Sequence, residues 1–272
     1  MFKKYLDSVR EKAPLVHNIT NCVTVNDVAN AILAVGASPI MADEPDEVED
    51  IVSLCAGLNI NIGTLNHRSI AAMFRAGEKA QSLGRKIVLD PVGAGASAFR
   101  TKTAAELLKK IRFTAVRGNI SEIKTLAGGN AATQGVDANV ADVVTAENLD
   151  EAVAFAKNFA ARLGSVVAIT GAIDLVADAE KCFVIKNGCA EMQRVTGTGC
   201  QLSGILTAFL CAEDDALGAA AAAVCAMGFA GETARLRLRE GEGSATFRNR
   251  IIDALSNMDG DLLDGGAKYE IR

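Results

Sequence analysis

The chain of 272 residues carries 28 basic against 33 acidic side chains, a net charge of −5 with the two signs interspersed, which excludes the basic footprint of a nucleic-acid or anionic-membrane binder. Half of the residues are hydrophobic, enough for a large core, and no linker-like, low-complexity or charge-block segment divides them, so residues 1–272 are expected to form one domain. The seven cysteines, at positions 22, 55, 182, 189, 200, 211 and 225, include no C-x-x-C pair, and with only two histidines a zinc site is not expected; their odd number and apolar settings imply a reducing, cytoplasmic location.

At the start of the chain, Asp7 and Arg10 stand where a signal peptide would need its apolar stretch. The first strand is predicted at Pro14–Asn18, followed by a helix over Thr24–Val35 and a strand at Ser38–Met41. A helix over Asp46–Cys55, a strand at Leu58–Ile62, a helix over Ser69–Leu83 and a strand at Lys86–Asp90 continue the alternation. Next come a helix over Thr101–Ile111, a strand at Phe113–Arg117, and helices over Ser121–Leu126 and Leu149–Leu163. Three further strands are expected at Ser165–Thr170, Asp174–Ala177 and Cys182–Lys186. From Cys200 onward the pattern predicts helices only, over Cys200–Cys211, Ala216–Arg239 and Ser244–Asn257. The uncharged run from Ala216 to Gly231 is mostly alanine and shorter than the roughly 20 residues of a membrane span, so it reads as a buried helix.

Ile87, Val88 and Leu89, and then Val166 to Ile169, are continuously apolar instead of alternating. That is the mark of strands covered by helices on both sides, and the strand–helix alternation then gives a doubly wound, mostly parallel α/β sheet with a helical C-terminal third. Ligands of such sheets bind beyond the carboxyl ends of the strands. Those ends are rich in glycine and polar residues: Asp90-Pro91-Val92-Gly93-Ala94-Gly95, Arg117-Gly118-Asn119 with Glu122 just beyond, and Thr170-Gly171. Any one of them also reads as an ordinary turn.

The sharpest element is Val195-Thr196-Gly197-Thr198-Gly199-Cys200, running directly into a helix. Gly197, Thr198 and Gly199 let the backbone approach a ligand, and the helix start adds free N–H groups and a positive dipole end. Together these suit the charge on a transferred phosphoryl group; a plain glycine-rich helix entry is the bland alternative. No Gly-Lys-Ser/Thr follows, so it is not a Walker A loop. Asp90 and Glu122 are the candidate magnesium carboxylates, although an acid in the first helical turn is favourable without any metal. Arg117 suits a bidentate phosphate contact or a structural ion pair. An N-terminal polar cluster holds His17, Asn18, Thr20 and Asn21. Asn21 or Thr20 reads equally as a helix cap, and His17 as a structural histidine. Met41, at the rim of its strand, reads as core or as the wall of a site for a flat sulfur heterocycle.

Taken together, Leu15 to Asn21, Gly36 to Ala42, Asn61 to Leu65, Leu89 to Gly95, Arg117 to Asn119 with Glu122, and Thr196 to Cys200 resemble the hydroxyethylthiazole kinases of thiamine salvage, within the ribokinase-like superfamily. The resemblance implies transfer of the γ-phosphoryl group of ATP to the primary alcohol of hydroxyethylthiazole, with magnesium as cofactor. It places Met41 and Gly197 against the thiazole, with Asn21 nearby, and Arg117 and Thr170 against the nucleotide. Asn119 and Glu122 match the N-x-x-E element that organises magnesium, and Asp90 lies at a matching acidic strand end. Cys200 stands where most of the superfamily has an aspartate as catalytic base, as is typical of the thiazole kinases. The resemblance also implies a homotrimer with the thiazole site at the subunit boundary.

Other readings stay open on the sequence. A hydroxymethylpyrimidine kinase, a pyridoxal kinase or an ATP-dependent dehydratase of hydrated nicotinamide nucleotides would share most of these strand-end motifs. A cysteine-nucleophile enzyme would use Cys200 at the helix start with His17 as its base. A nucleotide-binding protein without activity is a third.

Overall fold

The computed structural model describes residues 1–128 and 143–272. Helix α1 (Lys3–Lys12) leads into strand β1 (Leu15–Ile19), then α2 (Val25–Ala34), β2 (Ser38–Met41), α3 (Val48–Leu54) and β3 (Gly57–Asn61). Helix α4 (His67–Ser82), β4 (Lys86–Asp90), α5 (Ala98–Lys110), β5 (Ala115–Asn119) and α6 (Ile120–Leu126) follow. After α7 (Leu149–Leu163) come β6 (Val166–Thr170), β7 (Asp174–Ala177) and β8 (Cys182–Ile185). The chain ends in α8 (Thr198–Ala212), α9 (Ala216–Leu236), α10 (Ser244–Ser256), α11 (Gly260–Gly266) and β9 (Tyr269–Ile271).

The nine strands of the described residues join one sheet in the order β2-β1-β3-β4-β5-β6-β7-β8-β9. The six from β2 to β6 run parallel, and β7, β8 and β9 extend the sheet antiparallel. The expected α/β class and parallel core are therefore present. The helices-only reading of the last third is overturned by β9, which pairs Tyr269 with Ile185 and Ile271 with Phe183. A three-residue edge strand carries too little periodicity to be read from its residues alone. Helix α1 also falls outside the predicted elements; it buries Tyr5, Leu6 and Val9.

The two sides of the sheet hold separate cores. One is built by α1, α2, α8, α9 and α10 around Leu6, Val28, Ile205, Phe209 and Ile251. The other is built by α3 to α7 around Val52, Met73, Leu107, Ile123 and Phe159. Helix α9 is the alanine-rich run, and among the described residues it is the one helix long and apolar enough to cross a bilayer. Its most apolar window is 72% buried in the fold. Its small residues serve close approach: a Cβ at Gly228 would come within 2.8 Å of the Asn187 backbone carbon, so the segment leading to the glycine-rich turn can lie against the helix.

Candidate active site

Strand alternation sets the site. In β3, β4, β5 and β6 the residues Leu58, Ile60, Ile87, Leu89, Val116, Val167 and Ile169 point into the core of α3 to α7. Their neighbours Asn61, Asp90, Arg117 and Thr170 therefore face the opposite side, under α8. The register pairs Asn61 with Asp90. It pairs Val88 with Ala115, which brings Asp90 beside Arg117, and Arg117 lies one strand from Thr170. Four polar side chains thus form a row across four adjacent strand ends.

Hydrogen bonds make the row continuous. Arg117 donates to Thr170 Oγ1 at 2.7 Å and meets Asp90 Oδ1 at 3.4 Å. Asp90 Oδ2 accepts from Asn61 Nδ2 at 2.7 Å and from Ser203 Oγ, one turn into α8, at 2.8 Å. Asn61 and Asn21 each donate to Cys200 Sγ at 3.2 Å. Asp90 is wholly buried, and burial pushes its carboxyl upward against the opposing pull of Arg117, Ser203 and Asn61.

The start of α8 closes over this row. Gly197 caps the helix at φ +83°, and a Cβ there would collide with Thr24 at 2.2 Å. A Cβ at Gly199 would lie 2.4 Å from Arg117 Nη2. Both glycines are therefore required, one by its left-handed backbone and the other by the guanidinium pressed against it. The first amides of α8 have no acceptor within the helix and face outward with the positive end of its dipole. Gly197, Thr198 and Gly199 form this helix start, and the Arg117 guanidinium lies immediately behind it.

Glu122 sits differently. Its Oε2 accepts from Asn119 N at 2.8 Å, and Asn119 Oδ1 accepts in return from Glu122 N at 2.9 Å, a capping box at the start of α6. Oε1 accepts from Gly93 N at 2.7 Å, tying the loop after β4 to the same carboxylate. Burial, followed by the Asp90 charge, pushes Glu122 up to about 7. Among the described residues no three His, Cys, Asp or Glu side chains converge to hold a metal directly.

Of the other expected residues, Asn21 joins Cys200 at the end of the row, whereas Met41 and His17 lie apart from it. Asn21 Oδ1 accepts from Thr24 N and Thr24 Oγ1, so Asn21 closes a turn onto Thr24, and the side-chain cap of α2 is absent. Met41 ends the edge strand β2, separated from β3 by β1, at roughly 10 Å for two strand spacings. His17 shares the face of Ile19, away from α8. Its Nε2 donates to the Ala42 carbonyl at 2.8 Å, and burial holds the ring below its usual value. Burial and the Asp90 charge push the Cys200 thiol up. A Cys200–His17 nucleophile pair thus fails on both counts: the base is across the sheet, and the thiol is raised where a nucleophile needs it lowered.

Asn61, Ser203 and Thr24 were given no role by sequence reasoning. Ser203 lies at i+3 from Cys200, on the same helix face, a spacing visible in the sequence once the helix start is placed. A cavity of about 430 Å³ opens on the far side of Asn61, between the loops after β1, β3 and β4, with Thr20, Gly63, Thr64 and Arg100 in its wall.

A mostly parallel sheet with helices on both sides and a glycine-rich helix start above its strand ends is the fold of the ribokinase-like kinases. Staphylococcus aureus pyridoxal kinase in complex with ADP shares this fold at a TM-score of 0.66, over 95% of this chain and 98% of that one, with 14% identity. A model of the hydroxyethylthiazole kinase family matches residues 6–261, and the chain belongs to that family. It is 53% identical to the hydroxyethylthiazole kinase of Clostridium acetobutylicum over 271 residues, 99% of either chain. The structure of the hydroxyethylthiazole kinase protein of Pyrococcus horikoshii OT3 superposes at a TM-score of 0.88 with 36% identity, covering 100% of this chain and 98% of that one.

Proposed function

We propose that the protein transfers the γ-phosphoryl group of ATP to the primary alcohol of 4-methyl-5-(2-hydroxyethyl)thiazole, as a cytoplasmic enzyme of thiamine salvage whose 272 residues act as one kinase domain. The observation that carries this reading is the unbroken row from Thr170 through Arg117, Asp90 and Asn61 to Cys200, lying under a glycine-rich helix start. The alcohol oxygen attacks the γ-phosphorus, the bond from that phosphorus to the β,γ-bridging oxygen breaks, and ADP leaves. The alcohol proton passes to Cys200 in its thiolate form; burial and the Asp90 charge oppose that form, and Arg117 and the hydrogen bonds of Thr24 and Asn61 favour it. The thiol's own proton leaves for solvent before the alcohol reacts. Phosphoryl transfer is loose, with charge on the non-bridging oxygens, so positioning and electrostatics carry most of the work. The amides of Thr198, Gly199 and Cys200 are suited to that charge, and Arg117 and Thr170 to the nucleotide phosphates.

Magnesium fits this site in one form. The oxygens of Asp90 and Glu122 are already bonded to protein donors, while magnesium keeps several waters and takes phosphate oxygens readily. Asp90 and Glu122 would therefore hold the ion through its water ligands, where it neutralises phosphate charge. Met41 and Gly197 are proposed to contact the thiazole, with Asn21 beside them through its bond to Cys200. Because Met41 lies at a sheet edge away from Cys200, we assign it to a pocket completed by a neighbouring subunit of a homotrimer; light scattering showing a fully active monomer would overturn that assignment.

The test is ATP consumption with a panel of alcohols. Magnesium-dependent phosphorylation of the thiazole is expected. Turnover of hydroxymethylpyrimidine or pyridoxal with none of the thiazole would refute the reading.

A further inference from the structure

Two carboxamides bracket the Cys200 sulfur, and their orientation is fixed by groups that can only donate. Asn61 Oδ1 accepts from the Gly63 backbone N–H at 2.9 Å and from Asn21 Nδ2 at 3.1 Å. Its NH₂ group must therefore point the other way, where one hydrogen goes to Asp90 Oδ2 at 2.7 Å and the other to Cys200 Sγ at 3.2 Å. Asn21 is fixed likewise by the Thr24 backbone N–H on its oxygen at 3.1 Å, leaving its NH₂ for Asn61 Oδ1 and Cys200 Sγ. Both residues are buried. The sulfur thus faces two N–H donors, and it must turn lone pairs toward both of them. Its own proton, or the lone pair that receives one, is directed away from the asparagines.

We propose that Asn61 is a positioning residue for the phosphoryl transfer: it holds the Cys200 sulfur as a hydrogen-bond acceptor, and with the same NH₂ group it keeps that sulfur apart from the Asp90 carboxylate. A sulfur is a weak acceptor, so one bond to it orients little. Two converging donors, one of them locked by a backbone amide, orient it firmly. Asn61 also holds the loop after β3 through the Gly63 N–H, a contact made by its oxygen and separate from the two donors. Aspartate can supply the same acceptor contacts to Gly63 and Asn21, but only an amide supplies the two donors.

The inference rests on the kinase reading, and its test separates the two. Turnover of the thiazole with ATP is measured first in the parent; its absence defeats the kinase reading. Given parental activity, Asn61→Ala is expected to lower kcat by about 10–100-fold, the cost of misplacing a reacting group by a fraction of an ångström to an ångström, with KM for ATP unchanged within about twofold. Asn61→Asp keeps the acceptor contacts and the side-chain volume but turns a second carboxyl toward Asp90; it is expected to lose at least as much, and thermal melts of both variants guard against a folding failure. In a Cys200→Ala background Asn61→Ala is expected to cost less than about threefold, because the group it positions is gone. Equal losses from Asn61→Ala in the two backgrounds would mean that Asn61 acts through the sheet or through Asp90, and would overturn the proposal. A crystal structure of Asn61→Asp gives a readout independent of activity: the sulfur is expected to leave its position, and a sulfur still within about 0.5 Å of it would also overturn the proposal.

Discussion

Both faces of the sheet are apolar along most of their length, and only at the carboxyl ends of the strands do they carry opposite chemistry. On one side of β3 to β6, Leu58, Ile60, Ile87, Leu89, Val116, Val167 and Ile169 form a dry core with helices α3 to α7. On the other, one residue out of phase, Asn61, Asp90, Arg117 and Thr170 form a bonded row beneath α8. The apolar face fixes register, because a slip of one residue would drive the polar row into the core. The polar face then needs no loop to bring its groups together, since neighbouring parallel strands do so at about 4.8 Å intervals. The site is precise because the side that does no chemistry is rigid.

Breaking the apolar face should therefore cost stability and spare the chemistry. Leu89→Ala removes a fully buried side chain and is expected to lower the unfolding free energy by about 2–5 kcal/mol, with kcat per folded molecule little changed. Denaturant unfolding beside an assay corrected for the folded fraction checks this. A large fall in kcat at retained stability would show that the faces are not separable.

Breaking the polar face should do the reverse. Arg117→Ala is expected to weaken ATP handling by roughly 1.5–3 kcal/mol, the worth of a charged hydrogen bond, while leaving thiazole binding nearly intact. An unchanged KM for ATP would reduce Arg117 to the ion partner of Asp90.

The smallest effect concerns pH. Glu122 is raised from 4.5 to about 7 by burial and then by Asp90, so folding favours its protonated form. Its contribution to stability is complete below about 4.5 and is lost as pH rises through about 7. Relative to Glu122→Gln, the parent is expected to lose stability between about pH 5 and pH 8 in denaturant titrations. A parent that gains stability over that interval would contradict the burial argument.

The parallel strands and the glycine-rich helix start are legible in the sequence because both depend on local pattern: continuous apolar runs, and two glycines before an apolar helix. The strand-end residues Asp90, Arg117 and Thr170 are legible for the same reason. Asn61 is harder to see, because Asn59 alternates with it inside the predicted strand Leu58–Ile62 and its role depends on which face of β3 meets α8. That is a tertiary fact. Ser203 is hidden behind the same unknown, and β9 behind its shortness. His17 and Cys200 look equally available to each other in the sequence, and only strand alternation puts them on opposite sides of the sheet.

The most direct test of the account is what remains when Cys200 is replaced. If the row and the helix amides carry the transfer, the sulfur contributes as a general base, worth about 10²–10⁴-fold, and the backbone amides survive a change of side chain. Cys200→Ala should then slow turnover yet leave measurable, ATP-dependent phosphorylation of the thiazole, and Cys200→Asp, which installs a carboxylate base, should retain activity or exceed the parent. Two folded, ATP-binding variants without any turnover, or a covalent adduct trapped on Cys200 during the reaction, would contradict it.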